Sequence, residues 1–409
     1  MVLNYLWVLF FLVCFIIALI KMFAGDTHVI TDMVNSTFDM SKTAFEISLG
    51  LTGVMTLWLG LMKVGEAGGA IKILSKIVGP FFSRLFPEIP KNHPAMGSIL
   101  MNFSANMLGL DNAATPLGLK AMKEIQSLNP QPDRASNAMI MFLTINTAGL
   151  TIIPVSILAF RTQAGAVNPT DIFLPLLIAT YGSLLISVFV LALIQKINLL
   201  DKVLIGYFIG ILSMITGLVY MIRSLPVEKM NQIIDISGNL IIMTIIVIFI
   251  AMAFFKKINV YETFIDGAKE GFQVSIKIIP YLVAMLVGIG LLRSSGTMDI
   301  VTQGISNLVA WLGMDTSFTD ALPVAFMKPF SGSGARGLMV DAMNEYGADS
   351  FTGRLSCIMN GATDTTFYIL ALYFGSVGVK NTRYAAGIGL LADFIGITLA
   401  IVLAYLFFM

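Results

Sequence analysis

The chain has 409 residues, 57% of them hydrophobic and only 12% charged, with a mean hydropathy of +0.86. Soluble domains average roughly 25% charged residues, so this chain lacks the polar surface to cover a globule in water. A net charge of +1 argues against an electrostatic nucleic-acid binder. Cys14 and Cys357 both lie in apolar runs, and His28 and His93 are the only histidines, which argues against a disulfide framework, a cysteine zinc site or a His-rich metal centre. The composition predicts an all-α polytopic membrane protein.

A spanning helix needs about 20 mostly apolar residues. Nine stretches qualify: about 3–23, 44–63, 136–160, 171–195, 201–222, 233–255, 273–292, 353–375 and 383–408. The first resembles a signal peptide but has neither a basic start nor a small-x-small cleavage site, so it reads as a retained span. Two long interruptions, 64–135 and 293–352, each open with an amphipathic stretch. Each then carries a short apolar segment studded with Gly, Pro, Ser and Asn, at 96–122 and 321–343. These segments suit two half-helices with a turn between them, a re-entrant hairpin tolerated where protein or a water-filled cavity satisfies the backbone. A loop lying at the interface is the alternative. With the N-terminus inside, most of the 25 basic residues fall in inner loops, which predicts a cytoplasmic N-terminus and an outer C-terminus.

The chain also repeats itself. Asn146 to Phe160 lies over Asn360 to Phe374, matching at Asn146/Asn360, Ala148/Ala362, Thr151/Thr365, Leu158/Leu372 and Phe160/Phe374. Repeats starting at spans one and six are separated by five crossings, an odd number, so the second is inverted relative to the first. This predicts a unit over 1–197 with its hairpin at 96–122, a linker helix within 198–232, and a unit over 233–409 with its hairpin at 321–343. Inverted repeats with broken helices are the architecture of secondary transporters, which bind solute near the midplane.

Polar residues at these breaks are the candidate site. In the first hairpin Asn102 and Asn106 share a helix face. Asp111 and Asn112 start the turn, Pro116 suits the first turn of the returning half-helix, and Asn112 or Thr115 lies near its cap. Half-helix ends expose amides to an anion and carbonyls to a cation, although these side chains could equally brace the hairpin. In the second hairpin Ser331-Gly-Ser-Gly334 resembles an anion-cradling loop without a P-loop pattern, and Ser331 and Ser333 are candidates. The same glycines could simply permit a tight turn. Lys328 and Arg336 flank it and either attract an anion or snorkel to the interface. The eighth span carries Asn360, Asp364, Thr365 and Thr366, costly in lipid unless partnered, with Gly361 inviting local unwinding. Asp364 is the leading solute or coupling-ion ligand, and the repeat places Asn146, Thr147 and Thr151 in the equivalent part of the third span. Asp393 is the other buried carboxylate, either paired structurally with Arg383 or a backbone donor, or relaying protons.

The sequence resembles two families. Residues 1 to about 197 are similar to spore maturation protein A at Trp58-Leu-Gly-Leu-Met-Lys63, Leu85-Phe-Pro87, His93-Pro-Ala95, Asn106-Met-Leu-Gly-Leu110, Ala113-Ala-Thr-Pro-Leu-Gly118 and Asn146-Thr147. Residues from about 233 onward are similar to spore maturation protein B at Gly267-Ala-Lys-Glu-Gly271, Pro280-Tyr-Leu-Val-Ala-Met285, Arg293-Ser-Ser-Gly296, Ser331-Gly-Ser-Gly334, Asp349-Ser350 and Thr363-Asp-Thr-Thr-Phe-Tyr368. Both belong to the nucleoside-recognition, or Gate, group. The resemblance implies a fused A–B protein with a transporter-like fold, and it supplies no substrate. Lys328 and Arg336 depart from the usual surroundings of the Ser-Gly-Ser-Gly turn.

The expected function is that of a secondary transporter, not an enzyme, in a bacterial inner membrane. Its solute would be small and polar or anionic, nucleoside-like solutes included. No resident cofactor is expected beyond a coupling Na⁺ or H⁺, and the expected partners are bilayer lipid and the solute, with a homo-oligomer left open. A metal-ion permease using Cys357, or a non-transporting structural or regulatory membrane protein, are the competing readings.

Overall fold

The computed structural model describes residues 2–90, 92–223 and 227–409. Among these residues the regular secondary structure is helical, joined by turns and loops, with one isolated β-bridge between Arg134 and Asn381. Its helices run α1 (Val2–Phe23), α2 (Val29–Gly68), α3 (Ala70–Leu85), α4 (Pro94–Met107), α5 (Asp111–Gln126), α6 (Asn137–Thr147), α7 (Val155–Gln163) and α8 (Phe173–Ile194). They continue as α9 (Lys202–Arg223), α10 (Val227–Phe255), α11 (Val260–Ser294), α12 (Thr297–Trp311), α13 (Leu322–Met327), α14 (Gly332–Tyr346), α15 (Phe351–Gly361), α16 (Thr366–Ser376) and α17 (Ala385–Phe408). Among the described residues five helices are long and apolar enough to cross a membrane: α2, α8, α11, α17 and the part of α10 from Gly238. Trp7–Phe23 and Lys202–Gly217 are shorter apolar helices. The protein is a multi-pass helical membrane protein.

Two predicted spans are corrected. Residues 136–160 form α6 and α7 with a break between them, and 353–375 form α15 and α16 in the same way. Neither is one continuous crossing, because both breaks take part in hydrogen bonds to other segments. The span predicted at 44–63 is the middle of a 40-residue helix, and the one at 273–292 lies within a 35-residue helix. Both hairpins form as pairs of half-helices, α4–α5 and α13–α14.

The element order occurs twice, from α1 to α8 and again from α10 to α17, with α9 unpaired between them. Details repeat as well. A left-handed glycine separates α2 from α3 (Gly69) and α11 from α12 (Gly296). Ser136 caps α6 by accepting the Met139 N–H, as Ser350 caps α15 by accepting that of Gly353. The ammonium of Lys21, in α1, lies against Gly296, while that of Lys256, after α10, lies against Gly69. Each repeat therefore sends a cation to a helix C-terminus of the other, where the dipole favours it.

Packing sets the relative direction of the copies. Gly60 faces Phe264, Gly271 faces Met55 and Gly290 faces Met40, so α2 and α11 run antiparallel. Their approach is close enough that a Cβ on Gly267 or Gly271 would lie 2.5 Å from the Leu59 or Met55 carbonyl oxygen. The last helices of the two repeats, α8 and α17, also pack on each other, with Gly182 against Leu399 and the Ser183 hydroxyl donating to the Ala392 carbonyl at 3.0 Å. Counterpart helices antiparallel to each other define an inverted repeat.

Candidate functional site

The two breaks meet. The N–H of Asp364 donates to the Thr147 carbonyl at 2.7 Å, joining the gap after α15 to the end of α6. Each break is also tied to its own hairpin: Ile152 N–H donates to the Met107 carbonyl at 2.7 Å, and Phe367 N–H to the Pro329 carbonyl at 3.0 Å. Gly149 makes this approach feasible. Its φ is +59°, a region costly for side chains, and a Cβ there would lie 2.9 Å from the Asp364 nitrogen.

A cavity of about 360 Å³ opens at this junction. It is lined from both repeats, with Asn106 and Thr115 from the first hairpin and Asn146 and Thr151 from the first break. Asn360, Thr363 and Asp364 come from the second break, and Tyr368 and Tyr373 from α16. Lys328 and Arg336 complete the wall from the second hairpin. The described lining therefore holds two cations and one carboxylate. Lys328 is only 6% exposed, and the Arg336 guanidinium lies 5.8 Å from the Phe160 ring centre. Asp364 is exposed within this opening, and its Oδ1 accepts the Thr365 N–H at 2.7 Å.

The counterpart asparagines differ. Asn146 is held on both sides: Oδ1 accepts from Asn106 Nδ2 at 2.9 Å, and Nδ2 donates to the Phe142 carbonyl at 2.8 Å. Asn360 is equally buried, yet its Oδ1 has no hydrogen-bond partner among the described residues. A buried amide oxygen left open at a cavity wall costs free energy unless something binds it.

Of the residues expected from sequence, Asn106, Thr115, Asn146, Asn360 and Asp364 line the cavity. Several others brace it. Asn102 is fully buried and donates from Nδ2 to the Ala114 carbonyl at 2.8 Å, locking α4 to α5. Thr147 contributes its carbonyl. Ser331 caps α14, accepting the Gly334 N–H at 2.9 Å, and lies 3.3 Å from the Ser333 hydroxyl. The Ser-Gly-Ser-Gly run is thus a helix start outside the described cavity wall, and its serine spends itself on that cap. Thr365 is packed against Gly332, and the Thr366 hydroxyl donates to Asp393 Oδ2 at 2.6 Å. Asp393 is 1% exposed and off the cavity wall. Its partner is Thr366, whereas Arg383 bonds elsewhere, to Ala135 and Asn137.

Three local expectations change. α5 starts at Asp111 with Leu110 as its cap residue and no side-chain capping bond, so neither Asn112 nor Thr115 caps it. Pro116 sits inside the helix, beyond its first turn. The side chains of Asp111 and Asn112 lie outside the described residues. Cys357 is fully buried with its sulfur 3.5 Å from Met343 Sδ, which removes the soft ligand from the cavity. Tyr368 and Tyr373 were not expected. Their spacing on an apolar helix resembles any interfacial aromatic pair, and no local pattern distinguishes it.

Comparison with known proteins agrees with this arrangement. The chain is 46% identical over 158 residues to spore maturation protein A of Bacillus subtilis (strain 168), covering 39% of this chain and 81% of that protein. It is 43% identical over 153 residues to spore maturation protein B of the same organism, covering 37% of this chain and 84% of that protein. One chain thus carries A-like and B-like sequence. The Gate family, described as nucleoside recognition, matches residues 48–163 and 275–380, which contain both hairpins and both breaks, and the chain belongs to that family.

Proposed function

We propose that the chain is a secondary transporter of a small polar or anionic solute, working by alternating access at the junction of its two broken helices and coupled to H⁺ or Na⁺. The observation that carries this reading is the shared cavity. Loose peptide ends of both repeats converge there with Lys328, Arg336, Asp364 and the open amide of Asn360. Such ends offer N–H groups and carbonyls without a helical partner, and broken helices at a repeat interface are where transporters hold solutes and coupling ions.

The charges divide the work. Lys328 and Arg336 attract the anionic group of the solute, while Asp364 holds its hydrogen-bonding end or the coupling cation. Asp393, sequestered behind Thr366, is the second carboxylate able to carry a proton. The family's description makes nucleoside-like solutes the first class to try, and the two basic residues add organic anions. We place the chain in a bacterial inner membrane, and the excess of Lys and Arg in loops on one side supports a cytoplasmic N-terminus and an outer C-terminus.

Uptake and counterflow in proteoliposomes test the reading, with nucleosides and small organic anions presented under proton or sodium gradients. Gradient-dependent accumulation of at least one solute is expected. Failure of every solute under both gradients would reject transport.

A further inference from the structure

Each repeat reaches an arginine across to the other. Arg161, in the last turn of α7, donates from Nη1 to the Ala348 carbonyl at 2.7 Å. Arg383, between α16 and α17, donates from Nη1 to the Ala135 carbonyl at 3.0 Å. Both carbonyls lie just ahead of a capping serine, Ser350 and Ser136 respectively, so the two clasps are counterparts at the two ends of the paired repeats.

Electrostatically they differ. Arg161 is fully buried, and its Nη2 lies 2.8 Å from Asp171 Oδ1 and 3.0 Å from Asp349 Oδ1. Arg354 completes the cluster with Nε 2.6 Å from Asp171 Oδ2. Arg383 forms no ion pair among the described residues. It bonds Asn137 Oδ1 at 3.0 Å and lies 4.9 Å from the Tyr384 ring centre. Near it Arg134 is exposed, and among the described residues its guanidinium makes one hydrogen bond, of 3.5 Å to Gln131. Both arginines line a cleft of about 420 Å³ walled by the first repeat, into which Arg383 reaches from the second. The acid in that cleft, Glu88, is already engaged at the start of α6: Oε1 accepts from Asn137 Nδ2 at 2.8 Å and Oε2 from the Ala138 N–H at 3.4 Å.

We infer that the cleft between Arg134 and Arg383 binds a phosphate group, supplying at this end of the molecule the negative charge that Asp171 and Asp349 supply at the other. Guanidinium forks match phosphate oxygens bidentately, and basic pockets between membrane helices take phospholipid headgroups. The phosphate would tie the loop before α6 to the loop before α17, one from each repeat. Two sources share this chemistry, a lipid headgroup and a soluble phosphate.

Thermal unfolding of the full chain in neutral detergent separates them. The probes are phosphatidylglycerol, phosphatidylcholine as the zwitterionic control, and inorganic phosphate. Phosphatidylglycerol is expected to raise the Tm where phosphatidylcholine does not, and Arg134→Gln to need about tenfold more lipid for the same rise. This variant keeps the Arg383 clasp and removes only an exposed side chain. Lys72→Gln, which removes a basic residue outside the cleft, should respond as wild type. An Arg134-dependent rise with inorganic phosphate would assign the site to a soluble anion, and a rise with the lipid alone to a headgroup. No rise with either probe, or an equal rise in wild type and Arg134→Gln, overturns the inference. No solute flux enters this measurement, so it stands apart from the transport reading.

Discussion

The backbone N–H of Asp364 and the carbonyl of Thr147 meet at 2.7 Å, so the gap in one repeat is closed by a peptide group of the other. The bond places the carboxylate of Asp364 at a cavity wall while its own amide remains satisfied. Asp364→Asn preserves this bond and removes only the charge. It should abolish gradient-driven flux in proteoliposomes and leave the unfolding temperature within a degree or so of wild type, since the charge itself is exposed. Full flux in this variant would remove Asp364 from the mechanism.

Gly149 is what lets the two gaps touch. Alanine there combines a positive φ with a 2.9 Å approach to the Asp364 nitrogen, and strained residues of this kind cost about 1–3 kcal/mol. Gly149→Ala should lower the denaturation midpoint accordingly. Gly304→Ala, in α12 with open space around the added methyl, should not. Equal stability of the two variants would show that the gaps are not in contact.

Asn146 and Asn360 hold equivalent positions with different burdens. Asn146→Ala removes the acceptor of Asn106 Nδ2 and the bond to the Phe142 carbonyl, a cost of about 1–3 kcal/mol for stranded polar groups. Asn360→Ala deletes an amide oxygen that has no protein partner among the described residues. It should leave stability nearly unchanged while raising the apparent KM for the transported solute. The opposite pattern, an unstable Asn360→Ala with normal KM, would make both asparagines structural.

Much of this architecture is legible in the sequence, because hydropathy and re-entrant composition are local signals. The half-helices of 96–122 and 321–343 announce themselves through Gly, Pro, Ser and Asn between apolar residues. The gap near Asp364 is foreshadowed by Gly361 and its polar neighbours. The gap after Thr147 is concealed: its residues are mostly apolar, and the Ile152 N–H finds its acceptor on Met107, a contact absent from any local window. The early part of α2, with Asp32, Asn35 and Asp39, falls outside the predicted span of 44–63, yet it is helix and packs beside α11 through Ser36 and Met40. Within the site, residue type identifies polarity but not direction. Asn102 and Thr366 look like ligands and serve as braces, since each finds a protein acceptor first.

Arg161 is a fully buried ionic tie between the repeats, through Asp349. Removing one partner of a buried ion pair costs about 3–5 kcal/mol, so Arg161→Met should fall by that order in unfolding free energy. Arg161→Lys should recover little, because one ammonium cannot reach Pro169, Ala348, Asp171 and Asp349 together as the guanidinium does. A fully stable Arg161→Lys would show that this fork geometry is dispensable.

The central claim is that water and solute reach a polar junction inside the membrane between the two gaps. Tyr368, 56% exposed and on the cavity wall, is the reporter, and both native cysteines are fully buried, so background labelling is low. The direct measurement is labelling of Tyr368→Cys in sealed proteoliposomes by a membrane-impermeant thiol reagent, with and without the transported solute. Labelling from the aqueous phase that solute slows is expected, with the accessible side changing as the gradient is reversed. Labelling by a lipid-soluble reagent alone, unaffected by solute or gradient, would contradict it.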